Sequence, residues 1–85
     1  MYKIFLNAKA QRELKNLTPS VVHAIETAIF EKLKVDPFSL FLNVKRLQVP
    51  LYGYRLRVGD YRVLFDIEGD SILIYSIKHR KDAYR

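Results

Sequence analysis

Two glycine–aspartate pairs, Gly59-Asp60 and Gly69-Asp70, divide the C-terminal half of the chain into three runs with a period of two. Tyr54-Arg55-Leu56-Arg57-Val58 precedes the first pair, Tyr61 to Ile67 lies between them, and Ser71 to Ile77 follows the second. That period marks strands with one buried face, and glycine accepts the positive φ of a two-residue hairpin turn. The region is thereby confined to an antiparallel meander, and the short turns set its register. Val58 faces Tyr61, Arg57 faces Arg62 and Arg55 faces Leu64; beyond the second turn Ile67 faces Ile72, Phe65 faces Ile74 and Arg62 faces Ile77. Opposed residues share a face. One face is then Tyr54, Leu56, Val58, Tyr61, Val63, Phe65, Ile67, Ile72 and Ile74, a core face. The other carries Arg55, Arg57, Arg62, Leu64, Asp66, Leu73, Tyr75, Ile77 and His79.

The N-terminal half reads differently. Residues 2–6 form a short strand, and Ala8 to Leu17 a helix with Ala10, Leu14 and Leu17 on one side. Thr18-Pro19 supplies an N-cap and a first helical residue for a second helix running to about Val35. Val22, Ile25, Ile29 and Leu33 recur at helical spacing as its buried stripe. Asp36-Pro37 stops it, because the residue before proline is pushed out of helical geometry. Phe38 to Val44 is an apolar connection that either closes an open end of the core or docks a partner. Without repeats or linkers, residues 1–85 read as one α+β domain of order β-α-α-β-β-β, the helices lying on the sheet.

Charge narrows the function. Fifteen Lys and Arg against nine Asp and Glu leave a formal +6, which favours a polyanion, nucleic acid first, though an acidic protein or a membrane surface also fits. No cysteine is present, so disulfides and thiolate metal sites are excluded. Apolar runs fall far short of the roughly 20 residues of a membrane span, and Met1-Tyr2-Lys3-Ile4 lacks a signal-peptide layout. A cytoplasmic protein without membrane contact is the expectation. His23 has no ligand partners at metal spacing and reads as a surface or boundary residue, and no glycine-rich phosphate loop or Ser/His/Asp set is visible. No cofactor is expected.

The reactive groups gather at one end of the meander. Arg57 and Arg62, opposed across a ladder, repel each other unless an anion lies between them. The tail Lys78-His79-Arg80-Lys81-Asp82-Ala83-Tyr84-Arg85 adds a proton-exchanging imidazole, further cations and a phenol. These are the groups that chemistry on a phosphodiester requires: donors for the phosphate oxygens and a carrier for protons.

The run Tyr54-Arg55-Leu56-Arg57-Val58-Gly59-Asp60-Tyr61-Arg62-Val63-Leu64-Phe65 and the Lys78–Tyr84 tail resemble the RelE/ParE toxin superfamily, more particularly its RelE-type ribonucleases. The likeness spans nearly the whole chain and implies a RelE-like microbial ribonuclease fold. It also implies the toxin half of a type II toxin–antitoxin pair, cutting mRNA in the ribosomal A site by metal-free attack of the 2′-OH. By position, the resemblance makes Arg62 the arginine on the scissile phosphate, Arg80 a second active-site arginine, Tyr84 the near-terminal tyrosine and His79 an acid/base histidine. Arg55 and Arg57 stand where the best-known member has lysines. Arginine does not give up its proton, so these two bind the RNA backbone, with Lys81 and Arg85 beside them. The implied partners are an acidic RelB-type antitoxin, the ribosome and mRNA. The antitoxin would anchor on Leu64, Leu73, Tyr75 and Ile77, or on the Phe38–Leu42 segment. Two rival readings are a non-catalytic gyrase inhibitor of the ParE type and a basic RNA-binding module without chemistry.

Overall fold

A computed structural model describes residues 1–39, 42–47 and 53–82. Strand β1 (Lys3–Leu6) leads into helix α1 (Ala8–Lys15), which Asn7 caps by accepting the Ala10 N–H on Oδ1 at 2.8 Å. Helix α2 (Pro19–Thr27) starts after Thr18 with Pro19 in its first turn, though the Thr18 side chain makes no capping bond. It continues as a π-helical segment over Ala28–Leu33, where Lys34 N–H reaches back five residues to the Ile29 carbonyl at 2.9 Å. Three strands follow as the periodicity requires: β3 (Tyr54–Val58), β4 (Tyr61–Glu68) and β5 (Ser71–His79). Before them lies one that the sequence reading missed, β2 (Val44–Arg46), within and just beyond the apolar connection.

The sheet order is β1-β5-β4-β3-β2, with β1 parallel to β5 and every other pair antiparallel. Gly59 and Gly69 have φ of 58° and 57°, the left-handed geometry their turns demand. Ile25, Ile29 and Leu33 are fully buried against Leu56, Val63, Phe65, Ile72, Ile74 and Ile77, with Ala10 joining from α1. Each such aliphatic or aromatic side chain stabilises the fold by about 1.5–3 kcal/mol relative to exposure. Val22 is half-buried; its neighbour Val21 packs against this core instead.

The β3–β4 ladder has the expected register, with Val58 opposite Tyr61, Arg57 opposite Arg62 and Arg55 opposite Leu64. The β4–β5 ladder begins as expected, with Ile67 opposite Ile72 and Phe65 opposite Ile74, and then slips by one residue. Leu64 pairs with Ser76, Val63 with Ile77, Arg62 with Lys78 and Tyr61 with His79, leaving Tyr75 as the extra residue of a β-bulge. Arg62 therefore does not face Ile77, and Ile77 and His79 leave the face assigned to them from the sequence. Strict alternation after Ile72 and Ile74 sends Ser76 and Lys78 to the core and Ile77 away from it. One inserted residue reverses that: Ile77 is 2% exposed within the core, and Lys78 stands on the Arg62 face.

Candidate functional site

Arg62 is the centre of the cationic end. It lies on β4, an inner strand, opposite Arg57 on one side and Lys78 on the other. It is 8% exposed, and its Nη1 donates to the Gly59 and Tyr61 carbonyls, each at 3.0 Å. Those bonds fold the guanidinium back over the first hairpin turn. Its Nε is buried without a hydrogen-bond partner among the described residues. The Arg62 pKa is pushed below its ordinary value, first by burial, then by the charges of Arg57, Arg55 and Arg80, with Asp60 opposing. A buried cation hemmed in by three others is an arrangement that an anion relieves.

The neighbours come from β3, β2 and the end of β5. Arg55 and Arg57 lie on β3, and the Arg57 N–H donates to the Asn43 carbonyl at 2.9 Å. Strand β2 places Lys45 directly opposite Arg55, so a second like-charged pair stands on the same face as Arg57 and Arg62. Lys45 was missed from the sequence because Val44-Lys45-Arg46 is too short for its alternation to be read. Arg80 leaves the end of β5 and is tied to the turn: its N–H donates to the Asp60 carbonyl at 2.7 Å, and its Nε lies 3.9 Å from Asp60 Oδ1. Both side chains of that pair are more than half exposed, so the ion pair itself adds little stability.

His79 ends β5 opposite Tyr61, with the two rings edge-to-face at 5.3 Å and 79°. The bulge places it on the Tyr61 face, so it does not share the face of Arg62 as the sequence register had it. It does belong to the last row of the sheet, adjoining the turn over which Arg62 folds. Its Nδ1 accepts the Lys81 N–H at 3.2 Å, and its carbonyl accepts the Asp82 N–H at 2.8 Å. The first bond places the proton of the neutral ring on Nε2. Lys81 is exposed beside it, while Tyr84 and Arg85 lie outside the described residues.

The apolar anchors proposed from the sequence come apart. Leu64 is 3% exposed, and Ile77 belongs to the opposite, core-facing side; Leu73 and Tyr75 are half-buried. Phe38 is 59% exposed with its ring against Tyr54 at 5.9 Å, while Leu40 and Phe41 of that segment lie outside the described residues. His23 is exposed on α2. Away from the cations, an aliphatic groove of about 690 Å³ runs between α1 and α2, lined by Leu6, Leu14, Leu17 and Val22 with Arg12 and Lys15 among its polar residues.

Two helices over a five-stranded mixed sheet, with cations gathered at one end of the central hairpin, define a small basic α+β protein of a recognisable class. The family model described as the ParE toxin of type II toxin–antitoxin systems matches residues 4–84, and the chain belongs to this RelE/ParE toxin family. It is 38% identical to toxin RelE3 of Methanocaldococcus jannaschii over 74 residues, covering 86% of this chain and 84% of the relative. Its fold is similar to the RelB–RelE antitoxin–toxin complex of Methanococcus jannaschii, with TM-score 0.78, 26% identity and 94% of each chain covered. The RelBE2 toxin–antitoxin complex of Mycobacterium tuberculosis is also similar, with TM-score 0.80, 28% identity, and coverage of 93% of this chain and 98% of that one.

Proposed function

We propose that this toxin is a ribosome-dependent endoribonuclease, cleaving mRNA in the A site by attack of a ribose 2′-OH on the adjacent phosphate. Products are a 2′,3′-cyclic phosphate and a 5′-OH. The observation that carries the reading is the buried Arg62 amid Arg55, Arg57 and Arg80. Such a cluster lowers the cost of the charge that develops on a phosphate under attack, and one well-placed donor is worth roughly 10²–10³ in rate. Arg62 and Arg80 hold the scissile phosphate. Arg55, Arg57 and Lys45 track the backbone, joined by Lys81 and Arg85. His79 moves the proton, and Tyr84 stacks on a base or shares in the proton transfer.

The ribosome supplies the positioning that so small a domain lacks. The RelE relative of known structure is bound by RelB, and a RelB-type antitoxin is the proposed partner here. The formal +6 favours an acidic one.

Cell-free translation with purified protein, with mRNA ends mapped by primer extension, tests this. Ribosome-dependent cuts at codon spacing that vanish in Arg62→Ala are expected. Equal cutting of naked RNA overturns the ribosome requirement. Intact mRNA overturns the ribonuclease reading, and a supercoiling assay then tests the gyrase inhibition that the ParE name of the matching family keeps in play.

A further inference from the structure

One carboxylate on α1 holds three consecutive residues of β5. Glu13 Oε1 accepts from Ser76 Oγ at 3.0 Å and from the Ile77 N–H at 3.1 Å, while Oε2 lies 3.3 Å from Lys78 Nζ. The Glu13 side chain is 20% exposed and Ser76 is fully buried. The strand geometry explains the need. β1 pairs with β5 only from Ser71 to Ile74, so beyond the bulge no strand among the described residues covers the outer edge of β5. A buried edge N–H and a buried hydroxyl must find acceptors, and Glu13 provides both from a single oxygen.

We propose that Glu13 is a positioning residue: by bracketing Ser76, Ile77 and Lys78 it selects the bulged register, and so determines where His79 and Lys78 stand relative to Arg62. Two forces act together on that register. Ile77 gains by entering the core, and the carboxylate satisfies the groups that its entry leaves at the edge. Without the carboxylate the end of β5 slides between two pairings. One of them, the regular ladder, turns His79 away from Tyr61. The ion pair also draws Lys78 towards α1, away from the like charge opposite it at Arg62. The consequence for cleavage rests on the ribonuclease reading; the positional effect does not.

Nuclear magnetic resonance on the full chain separates the two. In Glu13→Ala, ring contacts between His79 and Tyr61 should disappear. Exchange of the Ile77 amide should rise at least about tenfold, as befits loss of a hydrogen bond to a charged group, while Val63 on the inner strand stays protected. Glu13→Gln keeps an acceptor and should retain both signals. In the translation assay Glu13→Ala should lower turnover about tenfold or more with KM unchanged, and Glu13→Gln should recover most of it. If Glu13→Ala does not fold, Glu13→Leu preserves volume on the helix and takes its place. Retained ring contacts and protection without the carboxylate overturn the proposal, as does Glu13→Gln failing as completely as Glu13→Ala. A wild-type protein that cuts no RNA overturns the ribonuclease reading alone, and the resonance data then decide the role of Glu13.

Discussion

The two hairpins have the same kind of turn, a glycine at positive φ followed by aspartate, yet they differ in what lies behind the turn. The β3–β4 hairpin runs as a regular ladder and opposes Arg57 to Arg62, an unfavourable pairing retained in an otherwise orderly structure. The β4–β5 hairpin opposes Ile67 to Ile72 and Phe65 to Ile74 on its core face and then breaks register, allowing Ile77 into the core. The first keeps its geometry at the expense of electrostatics; the second gives up geometry to satisfy burial. Burial of Ile77 outweighs a ladder position, whereas the repulsion between Arg57 and Arg62 is too small to break one.

The largest expected effect breaks the first hairpin's cluster. Arg62→Ala should reduce codon-spaced cleavage by about 10²–10³, read from primer-extension products, with the protein still folded. For the second hairpin, Ile77→Ala should destabilise the fold by about 2–5 kcal/mol in denaturant melts. Deletion of Tyr75, by contrast, should leave a folded protein, because Leu64–Ser76 and Val63–Ile77 then continue a regular ladder. Finding the deletion as damaging as Ile77→Ala would mean that the bulge residue itself stabilises the sheet. Gly59→Ala and Gly69→Ala probe what the hairpins share, and each should cost about 1–2 kcal/mol by the same melts.

Smaller effects sharpen the electrostatic side. Arg57→Gln should stabilise the protein by up to about 1 kcal/mol at low salt. Inorganic phosphate should raise the wild-type Tm more than that of the variant, since an anion substitutes for the missing countercharge. The smallest effect lies at Tyr75, whose pKa is raised by burial and then by Asp66 and Glu68. Because the folded form holds its phenolic proton longer than the unfolded chain, this contribution is complete below the unfolded tyrosine pKa and lost as pH rises through the folded one. Asp66→Asn should weaken that alkaline loss, as followed by melts across the same pH range.

The register of the first hairpin was legible in the sequence. Arg57 opposite Arg62 followed from a two-residue turn alone, because such a turn transmits register to the residues beside it. The error at His79 also left a trace in the sequence: strict alternation sends Ser76 and Lys78 to the core while Ile77 faces out, a conflict that a bulge resolves. Lys45 left no such trace. Three residues are too few to show a period, and their role depends on reaching the edge of β3.

What the chain determines by itself is local. The meander, its two turns, the helical stripe and the concentration of cations follow from backbone preferences and apolar spacing within a few residues. Which face His79 occupies, whether Lys45 joins the arginines, and what holds the open edge of β5 were decided by the tertiary structure. Those outcomes rest on contacts between distant segments, such as Glu13 with Ser76 and Ile77, where a buried N–H and hydroxyl must find an acceptor that no neighbouring residue supplies.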